Sequence, residues 1–145
     1  MFKLSKEQKS KLINDVLGVR FKRKSESPKD GFTCWSLVKY VYRNYYNIEI
    51  PDYYSSICDN PLDDNYVCDK FECYKRETVW KEIQLPQEPC VVLMKNCSEF
   101  VNHAGIYIGD NSFLHCVYNH GVILSKINDR LWGKKICGYY VYNLK

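Results

Sequence analysis

No apolar run in this 145-residue chain approaches the roughly 20 residues that a membrane-spanning helix needs. The segment Met1–Glu7 is charged and lacks the apolar stretch of a secretory signal. No internal repeat, low-complexity tract or Gly/Ser linker divides the chain. Disorder is excluded as well, because 46% of the residues are hydrophobic and 15% aromatic. The expectation is one domain over 1–145 with a sizeable buried core. It would be made in the cytoplasm and, if it acts outside, delivered by another system. The formal net charge of +4 suits an anionic partner without requiring nucleic acid.

Cysteine is the residue in excess. Eight stand at 34, 58, 68, 73, 90, 97, 116 and 137. The count alone suggests a disulfide scaffold. The absent export signal and the adequate length argue against one. Structural zinc prefers paired Cys-x-x-Cys ligands, and the nearest approach is Cys68-x4-Cys73 with no second pair. A disulfide within the group 58, 68 and 73 remains open. Cys116 and Cys137 read as core.

Hydrophobic periodicity predicts a helix over 6–17, capped by Ser5, and a second over about 34–46, ended by Asn47. Residues 22–31 read as a loop and 52–68 as irregular. A third helix is predicted over 69–82, packing Phe71, Val79 and Trp80. From Cys90 the period becomes two. Strands are expected at 90–95, 101–108, 113–118, 121–125 and 136–143. Helices followed by consecutive strands give an α+β fold with an antiparallel sheet of about five strands.

Thr33 is the natural N-cap of the second helix, which places Cys34 in the first turn. There the positive helix end favours thiolate, and backbone N–H groups are available to an oxyanion. The same position suits a buried apolar cysteine. Two histidines bear on this choice. If Gly109-Asp110-Asn111 forms a three-residue loop, His115 lies opposite Gly105 and His103 lies diagonal to it on one face. A two-residue loop would put the histidines on opposite faces. The pair could ligate a metal with a third group, act with Cys34 in nucleophilic catalysis, or be ordinary sheet residues. His120 reads as an exposed turn residue.

Gly18-Val19-Arg20-Phe21, Pro28 and Gly31–Val38 together resemble the nucleophile segment of the NlpC-type papain-like cell-wall peptidases. His103–Gly109 resembles that family's general-base strand, and Phe113-Leu114-His115 its third-residue strand. Cys34-Trp35, Tyr42, Ile50–Tyr53 and the ending Trp132…Ile136–Tyr140 resemble the phage-tail branch. The resemblance covers most of the chain. It implies a papain-like fold with Cys34 as nucleophile, His103 as base and His115 as orienting residue. It implies no metal and no cofactor. The implied reaction is hydrolysis of amide bonds in peptidoglycan stem peptides through a thioester. Partners in a phage tail or secretion machine are compatible with it, as is a place in the virion tail or at the cell wall.

Phe21, Thr33 and Trp35 occupy family substrate-pocket positions where Tyr, Asp and Ser are common. Tyr53 and Tyr54 are further candidates to line a substrate groove. The three replacements leave two alternatives open. One is a non-catalytic tail or wall-binding module, and the other is a thiol hydrolase or acyltransferase acting on another amide or thioester.

Overall fold

Helix α1 covers Lys6–Val16 and begins at a capping box. The Gln8 N–H donates to the Ser5 hydroxyl, and the Ser5 N–H donates to the Gln8 side chain. Helix α2 covers Cys34–Tyr46 and begins the same way, with Thr33 as cap and Ser36 as reciprocal partner. Asn47 ends it in the left-handed conformation at φ 55°, where an amide side chain is tolerated. The computed structural model describes residues 3–51, 80–99 and 101–142.

Between the helices, β1 (Glu26–Ser27) and β2 (Gly31–Phe32) form a short hairpin where a loop was expected. The segment is too polar and too short to show strand periodicity. Its turn is held by the Asp30 N–H donating to the Ser27 hydroxyl. Gly31 closes the hairpin at φ 127°, and a Cβ there would lie 2.9 Å from the Arg20 carbonyl oxygen.

Six strands build the main sheet. They are β3 (Trp80–Ile83), β4 (Cys90–Met94), β5 (His103–Tyr107), β6 (Ser112–Val117), β7 (Gly121–Lys126) and β8 (Ile136–Tyr142). Their order is β3-β8-β4-β5-β6-β7, with every neighbouring pair antiparallel. The five strands read from periodicity are present. The sixth, β3, corrects the expected helix over 69–82, at least from Trp80 onward. Phe71 and Val79 lie outside the described residues. Pairing with β8 and contact between the Trp80 and Tyr142 rings, 5.1 Å apart, decide the conformation there.

Both faces of the sheet are covered. One carries Val91, Leu93, Ala104, Ile106, Leu114 and Cys116 against α1 and α2. The other carries Val92, Met94, Tyr107 and Phe113 against Trp132. Because β8 lies beyond β4, the connection from edge strand β7 crosses β6, β5 and β4. That crossover brings Trp132 and a 3-10 turn, Gly133–Lys135, to the sheet.

Cys116 is buried in the core as expected. Cys137 is exposed, against expectation. Leu93 pairs with Gly138 but Met94 pairs with Ile136, so Cys137 is the extra residue of a bulge and turns out of the alternation. Among the described residues no helix is long and apolar enough to cross a membrane.

Candidate active site

Cys34 is the first residue of α2, and the Thr33–Ser36 box holds that helix start rigidly. Ser36 is anchored further by donating its hydroxyl to the Ser25 carbonyl at 2.7 Å. The cysteine is buried, and its sulfur is in a disulfide. Among the described residues, Cys90, Cys97, Cys116 and Cys137 are outside any disulfide. The free nucleophile expected at the helix start is therefore present only after reduction. The possible pairing within 58, 68 and 73 lies outside the described residues.

The three-residue turn exists, and it sets the predicted register. Gly105 pairs with His115, Ile106 with Leu114 and Tyr107 with Phe113. His103 and His115 are thereby diagonal neighbours, and their ring nitrogens meet: His103 Nε2 lies 2.8 Å from His115 Nδ1. A Cβ on residue 105 would lie 3.0 Å from the His115 Cβ and 2.8 Å from the Leu114 carbonyl oxygen. Glycine is what lets the two strands close with the imidazole between them. The ladder ends at Gly105–His115, so His103 stands just past its open end. Helix α2 packs across β5 and β6, the strands that carry the two histidines.

The second sheet face encloses the pair. Trp132 stands edge-on to His115, with ring centroids 4.6 Å apart, and lies 5.5 Å from His103. Phe113 is 4.7 Å from His115. The Lys135 ammonium lies 5.0 Å from the Trp132 ring centroid. Burial is the main cause that lowers the pKa of His103, and the Lys135 charge lowers it further. Burial also lowers that of His115, with His103 contributing. Both imidazoles are therefore neutral near pH 7.

His115 has a second partner, which sequence reasoning missed. Its Nε2 lies 2.9 Å from the Ser125 hydroxyl. The signal was available: in the β6–β7 hairpin Ser125 pairs with Phe113 and so lies diagonal to His115. Trp132 left no local signal, since it arrives through the crossover. The facing nitrogens of His103 and His115 are bonded to each other instead of converging on a shared metal. Among the described residues no group of three His, Cys, Asp or Glu could hold one.

The other candidates are dispersed. Phe21 is half-buried, bridges to Phe32 and stands edge-on to the exposed Tyr118 at 5.3 Å. Thr33 is buried as the cap. Trp35 is wholly buried, donates its indole N–H to the Pro51 carbonyl at 3.0 Å and packs on Trp80. Thr33 and Trp35 are thus both buried at the start of α2. Tyr53 and Tyr54 lie outside the described residues. His120 is exposed in its turn.

The NlpC/P60 family profile matches residues 18–141. The chain is 36% identical over 92 residues to the tail tip assembly protein K of Escherichia phage N15, covering 61% of this chain and 36% of that protein. It is 25% identical over 122 residues to the murein DD-endopeptidase/LD-carboxypeptidase MepS of Escherichia coli K12, covering 83% and 54%. The chain thus spans only a third to a half of these relatives. Among solved structures, an NLP/P60-family protein of Staphylococcus aureus aligns with a TM-score of 0.62 at 16% identity, covering 99% of this chain and 44% of its own. The NlpC/p60 domain of the peptidoglycan hydrolase SagA aligns at 0.57 and 12% identity, covering 92% and 95%. These likenesses show that the α+β fold is that of the papain-like NlpC/P60 domains.

Proposed function

The chain belongs to the NlpC/P60 family, and from that premise we propose that it is a cysteine peptidase whose nucleophile is Cys34 in its reduced state. The observation that carries this reading is the buried 2.8 Å contact between His103 and His115, on the two strands under the helix that begins with Cys34.

This reading requires the Cys34 sulfur to reach His103 past the open end of the β5–β6 ladder. The thiol gives its proton to His103 as sulfur attacks an amide carbonyl carbon, and the start of α2 stabilises the oxyanion. As the C–N bond breaks, His103 returns the proton to the leaving amine. A thioester remains on Cys34. Water, deprotonated by His103, then attacks the thioester carbon and releases a carboxylic acid and the thiol. His115 touches His103 and holds its ring.

The murein endopeptidase among the relatives supports peptidoglycan stem peptides as substrates, and the tail tip assembly protein supports a place in a phage tail. The test is mass spectrometry of the products from defined muropeptides. Reduced wild type is expected to cut a stem-peptide amide, whereas the oxidised protein and Cys34→Ala are not. Cleavage by Cys34→Ala overturns the assignment.

One observation favours a second reading. The disulfide at Cys34 suits a non-catalytic tail or wall-binding module. That reading predicts wall binding without product, in reduced and oxidised protein alike.

A further inference from the structure

We infer that Ser125 is a positioning residue: it accepts the His115 Nε2 proton and thereby leaves His103 Nδ1 free to act as the base. The inference deepens the cysteine-hydrolase reading and rests on it. It starts from a chain of two contacts, His103 Nε2 to His115 Nδ1 at 2.8 Å and His115 Nε2 to Ser125 Oγ at 2.9 Å.

Two proton arrangements satisfy this chain. In the first, His103 donates from Nε2 to His115 Nδ1, and His115 donates from Nε2 to the Ser125 oxygen. His103 Nδ1 then carries a lone pair. In the second, every proton is reversed. Ser125 donates to His115, His115 donates to His103 Nε2, and His103 holds its proton on Nδ1. Only the first leaves His103 able to accept a proton from a thiol. It also needs no rearrangement after that transfer, because imidazolium still donates from Nε2.

The first arrangement requires an acceptor at His115 Nε2. His115 is fully buried and walled by Trp132 and Phe113, and Ser125 is itself buried. Replacing the hydroxyl with a methyl group would strand a buried N–H. The ring would then relax toward the Nδ1–H tautomer, which turns the relay round and blocks the base. Alanine fits the serine site, so the effect does not require unfolding.

The experiment combines histidine 15N NMR with kinetics on reduced Ser125→Ala and Ser125→Thr. In wild type His115 is expected to be protonated on Nε2. In Ser125→Ala the Nδ1–H form should appear, and kcat should fall roughly tenfold, the size of one neutral buried hydrogen bond, with KM unchanged. Threonine, which keeps the hydroxyl, should restore both. An unchanged tautomer in Ser125→Ala overturns the inference, as does a wild-type His115 protonated on Nδ1. If wild type cleaves no amide substrate, the hydrolase reading fails, while the NMR result still decides the role of Ser125.

Discussion

Two of the polar clusters buried among the described residues are built on opposite terms. Glu88 is 4% exposed, yet it faces three donors. The Leu4 N–H and the Tyr46 hydroxyl donate to one oxygen at 2.9 and 2.7 Å, and Lys9 pairs with the other at 3.1 Å. A fixed charge is thus met by a counter-charge and hydrogen bonds, which tie α1, α2 and the start of β4 together. The His103–His115–Ser125 chain contains no counter-charge. It stays neutral behind Trp132 and Phe113, with one partner for each nitrogen that bonds. The first arrangement suits holding a fold in place, and the second suits a proton that has to move.

The contrast predicts opposite responses to deletion. His103→Ala should lower amide hydrolysis at least about a thousandfold, and should lower the urea midpoint less than Glu88→Ala does, because it strands one neutral ring nitrogen of His115 instead of a charge and two donors. Glu88→Ala should lower stability by about 3 kcal/mol, because Lys9, Tyr46 and the Leu4 N–H lose one shared buried carboxylate, although Lys9 keeps Asp110. Its activity per folded molecule should persist. Steady-state kinetics alongside urea titration checks both, and a stable Glu88→Ala variant would erase the distinction.

A smaller effect concerns acid. Both histidines have pKa values in the folded chain below the ordinary value near 6.5. Below that pH the unfolded chain binds more protons than the folded one, so stability falls as pH falls. Their contribution is complete above pH 6.5 and is lost toward the lowered folded values. The thermal midpoint should therefore drop between pH 7 and 5, and His115→Asn should flatten that slope. A slope unchanged by His115→Asn would show that the relay is not the source.

Much of this architecture is legible in the chain. Ser5, Thr33 and Asn47 mark helix ends by local chemistry, and the structure agrees at each. The three-residue turn at Gly109–Asn111 was enough to bring His103 and His115 together, because strand alternation leaves little choice of face. What escaped was non-local. Strand β3 exists through pairing with β8. Cys137 is turned out by a bulge that no periodicity announces. Trp132 reaches the histidines by a crossover, and the oxidation state of Cys34 is written in no motif. Ser125 was within reach of the same register argument applied one strand further.

The central claim is that reduced Cys34 and His103 form a working pair. It is tested most directly by peptide-mapped iodoacetamide labelling of the reduced, desalted protein at pH 7. Cys97 and Cys137, both exposed, serve as internal references. Although buried, Cys34 should react at least about tenfold faster than either, and His103→Ala should bring it down to their rate. A Cys34 that reacts no faster than Cys97 and Cys137, and at the same rate in His103→Ala, would contradict the account.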